Sequence, residues 1–92
     1  MTVRWTATAL RDLAALHDYI AADNPAAASG TVEKMLSGID ALERHPEMGR
    51  KGRIAGTREL VASPFVVVYR TRRTAIELLA IIHGARKWPD SL

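Results

Sequence analysis

The chain is predicted to form an α+β domain: an N-terminal strand, an antiparallel helix hairpin and then a three-stranded antiparallel meander. Three observations predict this class. Apolar residues in the front half recur at three- and four-residue steps, which is the period of a helix. The back half has short β-branched runs separated by turn residues. A length of 92 residues leaves room for one domain, spanning residues 1–92.

The first strand is expected at Thr2 to Trp5 and is followed by a helix. Thr6 or Thr8 can cap this helix. Asp12 is expected in its first turns, where the helix dipole favours negative charge. The apolar stripe of this helix consists of Leu10, Leu13, Leu16, His17 and Ile20.

A second helix is expected to begin at Asn24-Pro25. Asn is a good N-cap, and Pro is a good first helical residue because its missing N–H would have no partner there. Since the link is short, the two amphipathic helices should pack as an antiparallel hairpin. His45-Pro46 ends the second helix, because a residue before proline is pushed out of helical geometry. The apolar face of the second helix consists of Val32, Met35, Leu36, Ile39 and Leu42.

Strands account for most of the back half. A turn-rich connector, Pro46 to Gly56, leads to strands expected at Arg58 to Ala62, Phe65 to Thr71 and Ala75 to His83. The apolar density of the last strand predicts a central position in the sheet. The segment from Gly84 to Leu92 is expected to be a tail.

Turns centred on Ser63-Pro64 and Arg72-Arg73 would place Arg58 opposite Tyr69, and Arg70 opposite Ala75. Because side chains alternate, the strands then have two faces. The nearly apolar face is expected under the helices, and it consists of Arg58, Leu60, Phe65, Val67, Tyr69, Ile76, Leu78, Ala80 and Ile82. The mixed face consists of Glu59, Val66, Val68, Arg70, Glu77, Leu79, Ile81 and His83. The apolar residues of the mixed face need cover from the tail or from another chain, so this face is a candidate partner surface.

Charge divides the chain into two halves. Residues 1–48 contain four Lys/Arg against seven Asp/Glu, a net charge of −3, and residues 49–92 contain nine against three, a net charge of +6. A basic half suggests an anionic target, either nucleic acid or an acidic protein. A solvated basic face would have the same composition.

Composition excludes several classes of function. The absence of cysteine excludes disulfides, thiolate metal sites and cysteine nucleophiles. The three histidines lack metal-ligand spacing and no carboxylate cluster accompanies them, so we expect neither a metal nor another cofactor. There is no signal-peptide stretch and no run approaching the ~20 apolar residues of a membrane span. We therefore expect a cytoplasmic protein that does not associate with membranes.

The end of the last strand contains the first candidate site. A histidine beside cations, such as His83 before Arg86 and Lys87, can transfer protons at an anionic site. A strand-end histidine that is hydrogen-bonded for packing would occupy the same position. Arg86 and Lys87 also precede Trp88, an aromatic ring that can stack on a base. Equally, Trp88 can close the core.

Two strand arginines are further candidates, since guanidinium groups can clamp phosphate. In the expected register Arg70 lies near Glu59 and Glu77, which predicts a cross-strand charge pair. Arg58 has no carboxylate on its face and is the freer of the two.

The connector contributes another basic cluster. Arg50, Lys51 and Arg53 lie among glycines, and a glycine-rich loop can present backbone N–H groups to phosphate. The segment matches no nucleotide-binding fingerprint, and a solvated loop has the same composition.

An ordered set of segments resembles the toxins of the RelE/ParE superfamily. The resemblance covers nearly the whole chain, and it depends on the set as a whole because no single segment is specific. The segments are Trp5, Ala9, Asp12, Leu13 and Tyr19-Ile20; Asn24-Pro25; His45-Pro46-x-Met48-Gly49-Arg50; Gly52-Arg53-x-x-Gly56-Thr57-Arg58-Glu59-Leu60-Val61; Tyr69-Arg70; and Ile82-His83-x-x-Arg86-x-Trp88-Pro89.

The resemblance implies the toxin of a bacterial type II toxin–antitoxin pair. The C-terminal segment of a small cognate antitoxin, ParD-like or RelB-like, would wrap the toxin in a hetero-oligomer and neutralise it. Members similar to ParE inhibit DNA gyrase without nuclease activity, whereas members similar to RelE cleave mRNA in the ribosomal A site. The long helix hairpin, the short tail and the lack of a lysine-rich strand favour a ParE-like, non-enzymatic toxin.

The alternative is a RelE-like endonuclease that acts on the ribosome and mRNA. Its catalytic candidates are Arg58, His83 and Arg86. Candidates for binding the target or partner, under either mechanism, are Arg50, Lys51, Arg53, Arg58, His83, Arg86, Lys87 and Trp88.

Overall fold

Two helices pack on one face of a five-stranded sheet in the computed structural model, which describes residues 1–85, 88–89 and 92. The α+β class is confirmed. The elements are β1 (Thr2–Trp5), α1 (Ala7–Ala21), α2 (Pro25–Ala41), β2 (Arg50–Lys51), β3 (Arg58–Ala62), β4 (Phe65–Arg72) and β5 (Ala75–His83). Neither helix has the length and apolar character needed to cross a membrane.

The sheet is larger and more mixed than the predicted three-stranded meander. Its order is β1-β5-β4-β3-β2, and the meander β3–β4–β5 gains an edge strand on each side. β1 pairs with β5 in parallel, from Thr2 opposite Ala75 to Trp5 opposite Leu78. A parallel pair needs a long crossover, which the helices and the meander provide. β2, predicted to be part of the connector, pairs antiparallel with β3.

Side chains cap both helices at their N-termini. Thr6 Oγ1 accepts a hydrogen bond from Ala9 N at 3.2 Å, and Asn24 Oδ1 accepts one from Ala27 N at 3.0 Å. The predicted N-caps are confirmed, with Thr6 rather than Thr8 at the first helix. Asp12, however, is beyond the first turn of α1. Its carboxylate instead accepts a hydrogen bond from Ile81 N at 2.9 Å, so it ties the helix to β5.

The core lies between the helices and the sheet. The predicted stripe of α1 is wrong at Leu10, which is 52% exposed, whereas its other members are buried or half-buried. Ala9 and Leu16 are the buried residues of this helix, because the face toward the sheet is rotated from the predicted one. The buried core cluster consists of Ala9, Leu16, Met35, Ile39, Leu42, Phe65, Val67, Tyr69, Ile76, Leu78 and Ile81.

The β4–β5 register differs from the prediction. The turn lies one residue later, so Arg70 pairs with Glu77 and not with Ala75. An irregularity follows between Val68 and Tyr69, because Tyr69 pairs with Leu78 whereas Val68 pairs with Ala80. β5 therefore contains one extra residue there, as in a β-bulge.

Because of the extra residue, the side chains from Ala80 to the end of β5 lie on the opposite sheet faces to those predicted. Ile81 and His83 lie on the helix face, opposite Val67 and Phe65, although both were predicted on the other face. Ala80 and Ile82 were predicted under the helices and lie on the outer face, the sheet face away from the helices. The residues on the outer face include Arg4, Arg50, Glu59, Val61, Val66, Val68, Arg70, Arg72, Glu77, Ala80 and Ile82.

The apolar centre of the outer face is already covered. Val66, Val68 and Ala80 are buried in the isolated chain. The chain after β5 passes close to it, since a Cβ added to Gly84 would lie 3.8 Å from Val66 Cγ2. Of the two kinds of cover expected, the tail or another chain, the chain itself thus provides the cover at Val66, Val68 and Ala80, and these residues need no partner.

Candidate functional site

The connector after α2 is fastened to the sheet by Tyr69. The buried Tyr69 hydroxyl donates to Pro46 O at 2.8 Å and accepts from Gly49 N at 2.9 Å. Burial raises the pKa of Tyr69 above its ordinary value, against the opposing effects of the Gly49 hydrogen bond and the nearby Arg58 charge. The neutral hydroxyl can therefore both donate and accept, and it fixes the path of the chain into β2.

Glu59 forms a buried polar centre on the outer face. It is 2% exposed, yet both carboxylate oxygens have partners. Arg50 Nε and Nη2 lie 3.0 and 2.9 Å from Oε1, and the Arg53 backbone N donates to Oε2 at 2.8 Å. A buried carboxylate needs such partners. Arg50 was predicted as a binding residue of a loop, and the structure instead places it in an ion pair on β2.

Arg53 and Trp88 form a stacked pair beside this centre. The Arg53 guanidinium carbon lies 3.9 Å from the Trp88 ring centroid, a cation–π geometry. Trp88 is half-buried, and its Nε1 is fully buried without a hydrogen-bond partner among the described residues. These two predicted binding residues are thus engaged with each other. Arg86 and Lys87, predicted beside them, lie outside the described residues.

Arg58 is directed toward the connector. It lies opposite Tyr69, as predicted, and its Nη1 donates to Gly49 O at 2.8 Å and more weakly to Glu47 O at 3.4 Å. The expectation that Arg58 is the freer strand arginine therefore needs correction, because its guanidinium holds the connector. Exposed Lys51 and partly buried Arg70 line a shallow depression with Arg58, with a volume of about 430 Å³.

The predicted cross-strand charge pair of Arg70 is confirmed with Glu77. Arg70 Nε donates to Glu77 Oε1 at 2.7 Å, and the two residues face each other across β4 and β5. This hydrogen bond is the main cause of the lowered pKa of Glu77, and the charges of Arg70, Arg72 and Arg4 add to it.

His83 lies at the other end of the sheet, toward α1. Its ring makes an edge contact with Phe65, with centroids 5.4 Å apart, and its Nδ1 accepts a hydrogen bond from Ala85 N at 3.1 Å. It borders a cavity of about 310 Å³ with Asp12, Ala15, Leu16, Tyr19, Phe65 and Ile81. The groups described around His83 are therefore apolar and acidic side chains and not the cations expected from the sequence.

The structure does not gather Arg58 and His83 into one site. Ala62, Phe65 and His83 lie in one row across the strands, and Arg58 lies four residues before Ala62. At the usual strand dimensions their Cα atoms are about 16 Å apart. In addition, the Arg58 guanidinium points toward Gly49, on the side of β3 away from β5. Within the described residues, no group of three or more His, Asp or Glu side chains could hold a metal ion.

Sequence reasoning missed Tyr69 and Glu59 as polar residues that organise this region. A buried aromatic residue on the helix face has no distinctive pattern, and Glu59 was expected only as a neighbour of Arg70 on the mixed face. The nearest sequence signal for this contact is Gly49 in the connector, because its lack of a side chain leaves room for the Tyr69 ring.

The fold is a helix pair packed on one face of a mixed five-stranded sheet, and within the described residues Arg58 and His83 lie apart. The sequence model described as "ParE toxin of type II toxin-antitoxin system, parDE" matches residues 3–88. The chain therefore belongs to the ParE toxin family of type II toxin–antitoxin systems.

Individual relatives and one solved structure match nearly the whole chain. The toxin-designated protein Y4kP of Sinorhizobium fredii is 41% identical over 92 residues, covering 98% of this chain and 95% of the relative. Toxin RelE2 of Caulobacter vibrioides is 38% identical over 85 residues, covering 91% and 96%. A solved structure described as the chromosomal ParDE system of P. aeruginosa superposes with a TM-score of 0.79 at 27% identity, covering 90% of this chain and 95% of that one.

Proposed function

We propose that this toxin arrests growth by binding and inhibiting DNA gyrase, without nuclease activity, and that a small cognate antitoxin neutralises it. The family assignment supports the toxin role and implies an antitoxin partner. The observation that favours gyrase over mRNA cleavage is the separation of Arg58 from His83, together with the engagement of Arg58 with the connector. General acid–base chemistry needs groups within hydrogen-bond reach of one reacting centre.

The test compares two reactions with the same purified toxin. We expect it to inhibit supercoiling of relaxed plasmid by gyrase, and to leave protein synthesis in a reconstituted translation reaction unchanged. Supercoiling that continues while translation stops and ribosome-bound mRNA is cut would overturn the proposal.

The alternative function, a ribosome-dependent mRNA endonuclease, can be tested with a variant of His83. One relative of this chain is named RelE2, and His83 with Arg86 is the remaining catalytic combination from the sequence. If His83 were a general acid or base, His83→Ala would lower the reaction rate by about 10²–10⁴-fold. We expect the His83→Ala toxin still to arrest growth. Any loss should be small, as for the removal of one binding contact with the target. His17→Ala on α1 is the matched control, because His17 is also a half-buried histidine.

The antitoxin segment is proposed to cover the cavity beside His83. Since the apolar centre of the outer face is covered by the chain itself, the exposed apolar residues are the better candidates for that contact. Tyr19 is 68% exposed and borders this cavity with Phe65. Tyr19→Ala is expected to weaken neutralisation by the co-expressed antitoxin while growth arrest by the toxin alone persists. Full neutralisation of this variant would place the antitoxin contact elsewhere.

A further inference from the structure

Four arginines surround one glutamate at the end of the sheet where β4 turns into β5. Arg4 lies on β1, Arg70 and Arg72 lie on β4, and Arg73 lies in the turn. Glu77 of β5 is paired with Arg4 on one side and with Arg70 on the other. We call this cluster the arginine rim, and it consists of Arg4, Arg70, Arg72, Arg73 and Glu77.

The strands hold three of these arginines on the outer face. Arg4 and Arg70 flank Glu77 in one row, and Arg72 lies two residues beyond Arg70 on the same strand. At ordinary sheet dimensions, the Cα atoms of Arg4 and Arg70 are about 10 Å apart and those of Arg70 and Arg72 about 7 Å. All members of the rim except Arg70 line a shallow depression of about 400 Å³, which Thr74 and Ala75 also line. The Cα atoms of these arginines thus form a regular array on the outer face.

The rim has an excess of positive charge. Its single carboxylate, Glu77, is hydrogen-bonded to Arg70 at 2.7 Å, and four arginines against one glutamate leave a net charge of +3. Arg4, Arg72 and Arg73 are all exposed. The lowered pKa of Glu77 agrees with a positive local potential, because Arg70, Arg72 and Arg4 all favour its ionised form.

The turn holds Arg73 in a costly conformation. Its φ of 57° lies in the left-handed region, where glycine or asparagine is the usual residue. A residue that breaks a local rule in this way is often found at a functional site. The arginine at this position adds a cation to the rim at the cost of backbone strain.

We propose that the arginine rim binds the phosphate backbone of a nucleic-acid duplex, independently of base sequence. Planar guanidinium groups match phosphate oxygens, and backbone contacts of this kind carry no sequence information. A protein segment usually needs an apolar or aromatic anchor, and the depression is lined by Arg, Thr, Ala and Glu only. This inference goes beyond the proposed function and does not depend on gyrase being the target.

The test is fluorescence anisotropy of a labelled 20-base-pair DNA duplex of arbitrary sequence, titrated with the purified toxin between 50 and 200 mM salt. Three phosphate contacts would give a slope of log K against log [salt] of about −2.7, which is roughly a fortyfold loss of affinity over this range. In the double variant Arg4→Gln/Arg72→Gln we expect a slope of about −0.9. Arg4→Lys/Arg72→Lys should retain most of the original slope, because it keeps both charges.

The matched control is Arg11→Gln/Arg44→Gln, which removes the same charge from exposed positions on α1 and after α2. We expect the control to bind like the unmodified toxin, and circular dichroism should show all variants folded. Equal weakening by the control would overturn the proposal, because binding would then reflect net charge alone. So would failure to bind the duplex at 50 mM salt, or arginine-dependent binding of a poly-glutamate peptide in place of the duplex. None of these outcomes involves gyrase, so they leave the proposed function untouched.

Discussion

Gly49 lies against the ring of Tyr69. A Cβ built on Gly49 would lie 2.6 Å from the Tyr69 hydroxyl oxygen and 2.9 Å from the carbonyl oxygen of Glu59. The same hydroxyl accepts the Gly49 N–H. The glycine thus allows the connector to come close enough for its backbone to be held by a side chain of β4.

Gly49→Ala is expected to destabilise the toxin by about 1–3 kcal/mol, the usual cost of forcing extra volume into a packed site. The measurement is the free energy of unfolding in urea. Gly30→Ala is the matched control, because a Cβ there meets no atom within 4 Å. In the interior of α2 this second change should stabilise by about 0.5–1 kcal/mol. Equal effects of the two substitutions would contradict the close packing at Gly49.

Tyr69→Phe should cost about 1–3 kcal/mol at neutral pH, because Gly49 N and Pro46 O lose a buried partner. The raised pKa of Tyr69 adds a pH dependence. Its contribution to stability is complete below the ordinary value of 10.0 and is lost as pH rises through the raised pKa. Urea unfolding from pH 8 upward should therefore show an alkaline loss of stability that is smaller in Tyr69→Phe. An unchanged alkaline slope would argue against this linkage.

Arg50→Ala should destabilise the fold by about 1–3 kcal/mol, since it removes a partner of the buried Glu59 carboxylate. Lys51→Ala, at the next position of β2, should change stability by no more than about 0.5 kcal/mol because its side chain is exposed. Thermal melts of both variants test the difference. A stable Arg50→Ala variant would restore Arg50 as a candidate for partner binding.

Glu77→Gln should change how the stability of the toxin falls as the pH is lowered. The lowered pKa of Glu77 gives a stabilisation that is present above the unfolded value of about 4.5 and is lost as pH falls through the lowered pKa. The gap in urea midpoint between the unmodified toxin and Glu77→Gln should therefore be wider at pH 7 than at pH 3. Glu33→Gln on the exposed side of α2 is the control. A constant gap across this range would exclude the proposed linkage.

Arg73→Gly should stabilise the toxin although it removes a side chain. The left-handed conformation costs a residue with a Cβ about 1–2 kcal/mol, and the greater flexibility of an unfolded glycine offsets about 0.5–1 kcal/mol of that. The net gain should be about 0.5–1 kcal/mol in urea unfolding. Thr74→Gly, at the other turn residue, should not stabilise, because Thr74 has no positive φ.

Much of the fold follows from local patterns. β1, β3 and β5 lie at the predicted residues, and the caps at Thr6 and Asn24 are made by short polar side chains directly before an apolar period. These elements depend on neighbours in sequence, so a single sequence contains the information.

The irregularity in β5 could not be predicted in the same way. Residues 78–82 are apolar at every position, so their alternation gives no sign of an extra residue at Leu79. Side chains of α1 satisfy backbone groups around it: Thr6 Oγ1 donates to Leu78 O at 2.7 Å, and Asp12 accepts from Ile81 N. These contacts join residues about 70 positions apart, and only the folded chain brings them together.

The sequence predicted which residues of the candidate site carry charge, but it predicted few of the contacts between them. The Arg70–Glu77 pair follows from strand pairing, and the structure has it. The roles of Arg50 and Arg58 depend on the path of the connector, which the buried groups of Glu59 and Tyr69 determine. A charged residue in a glycine-rich segment gives no indication of such partners.

The pairing of β1 with β5 also determines how much of the chain must be made before the sheet is complete. Residues 2–5 have their strand partner only at residues 75–78, near the end of the chain. Contacts so distant in sequence form late, after the loop-closure entropy has been overcome. A growing chain on the ribosome therefore cannot complete its sheet until β5 has been made. Residues 1–78 at least must therefore be synthesised before the five-stranded sheet can form.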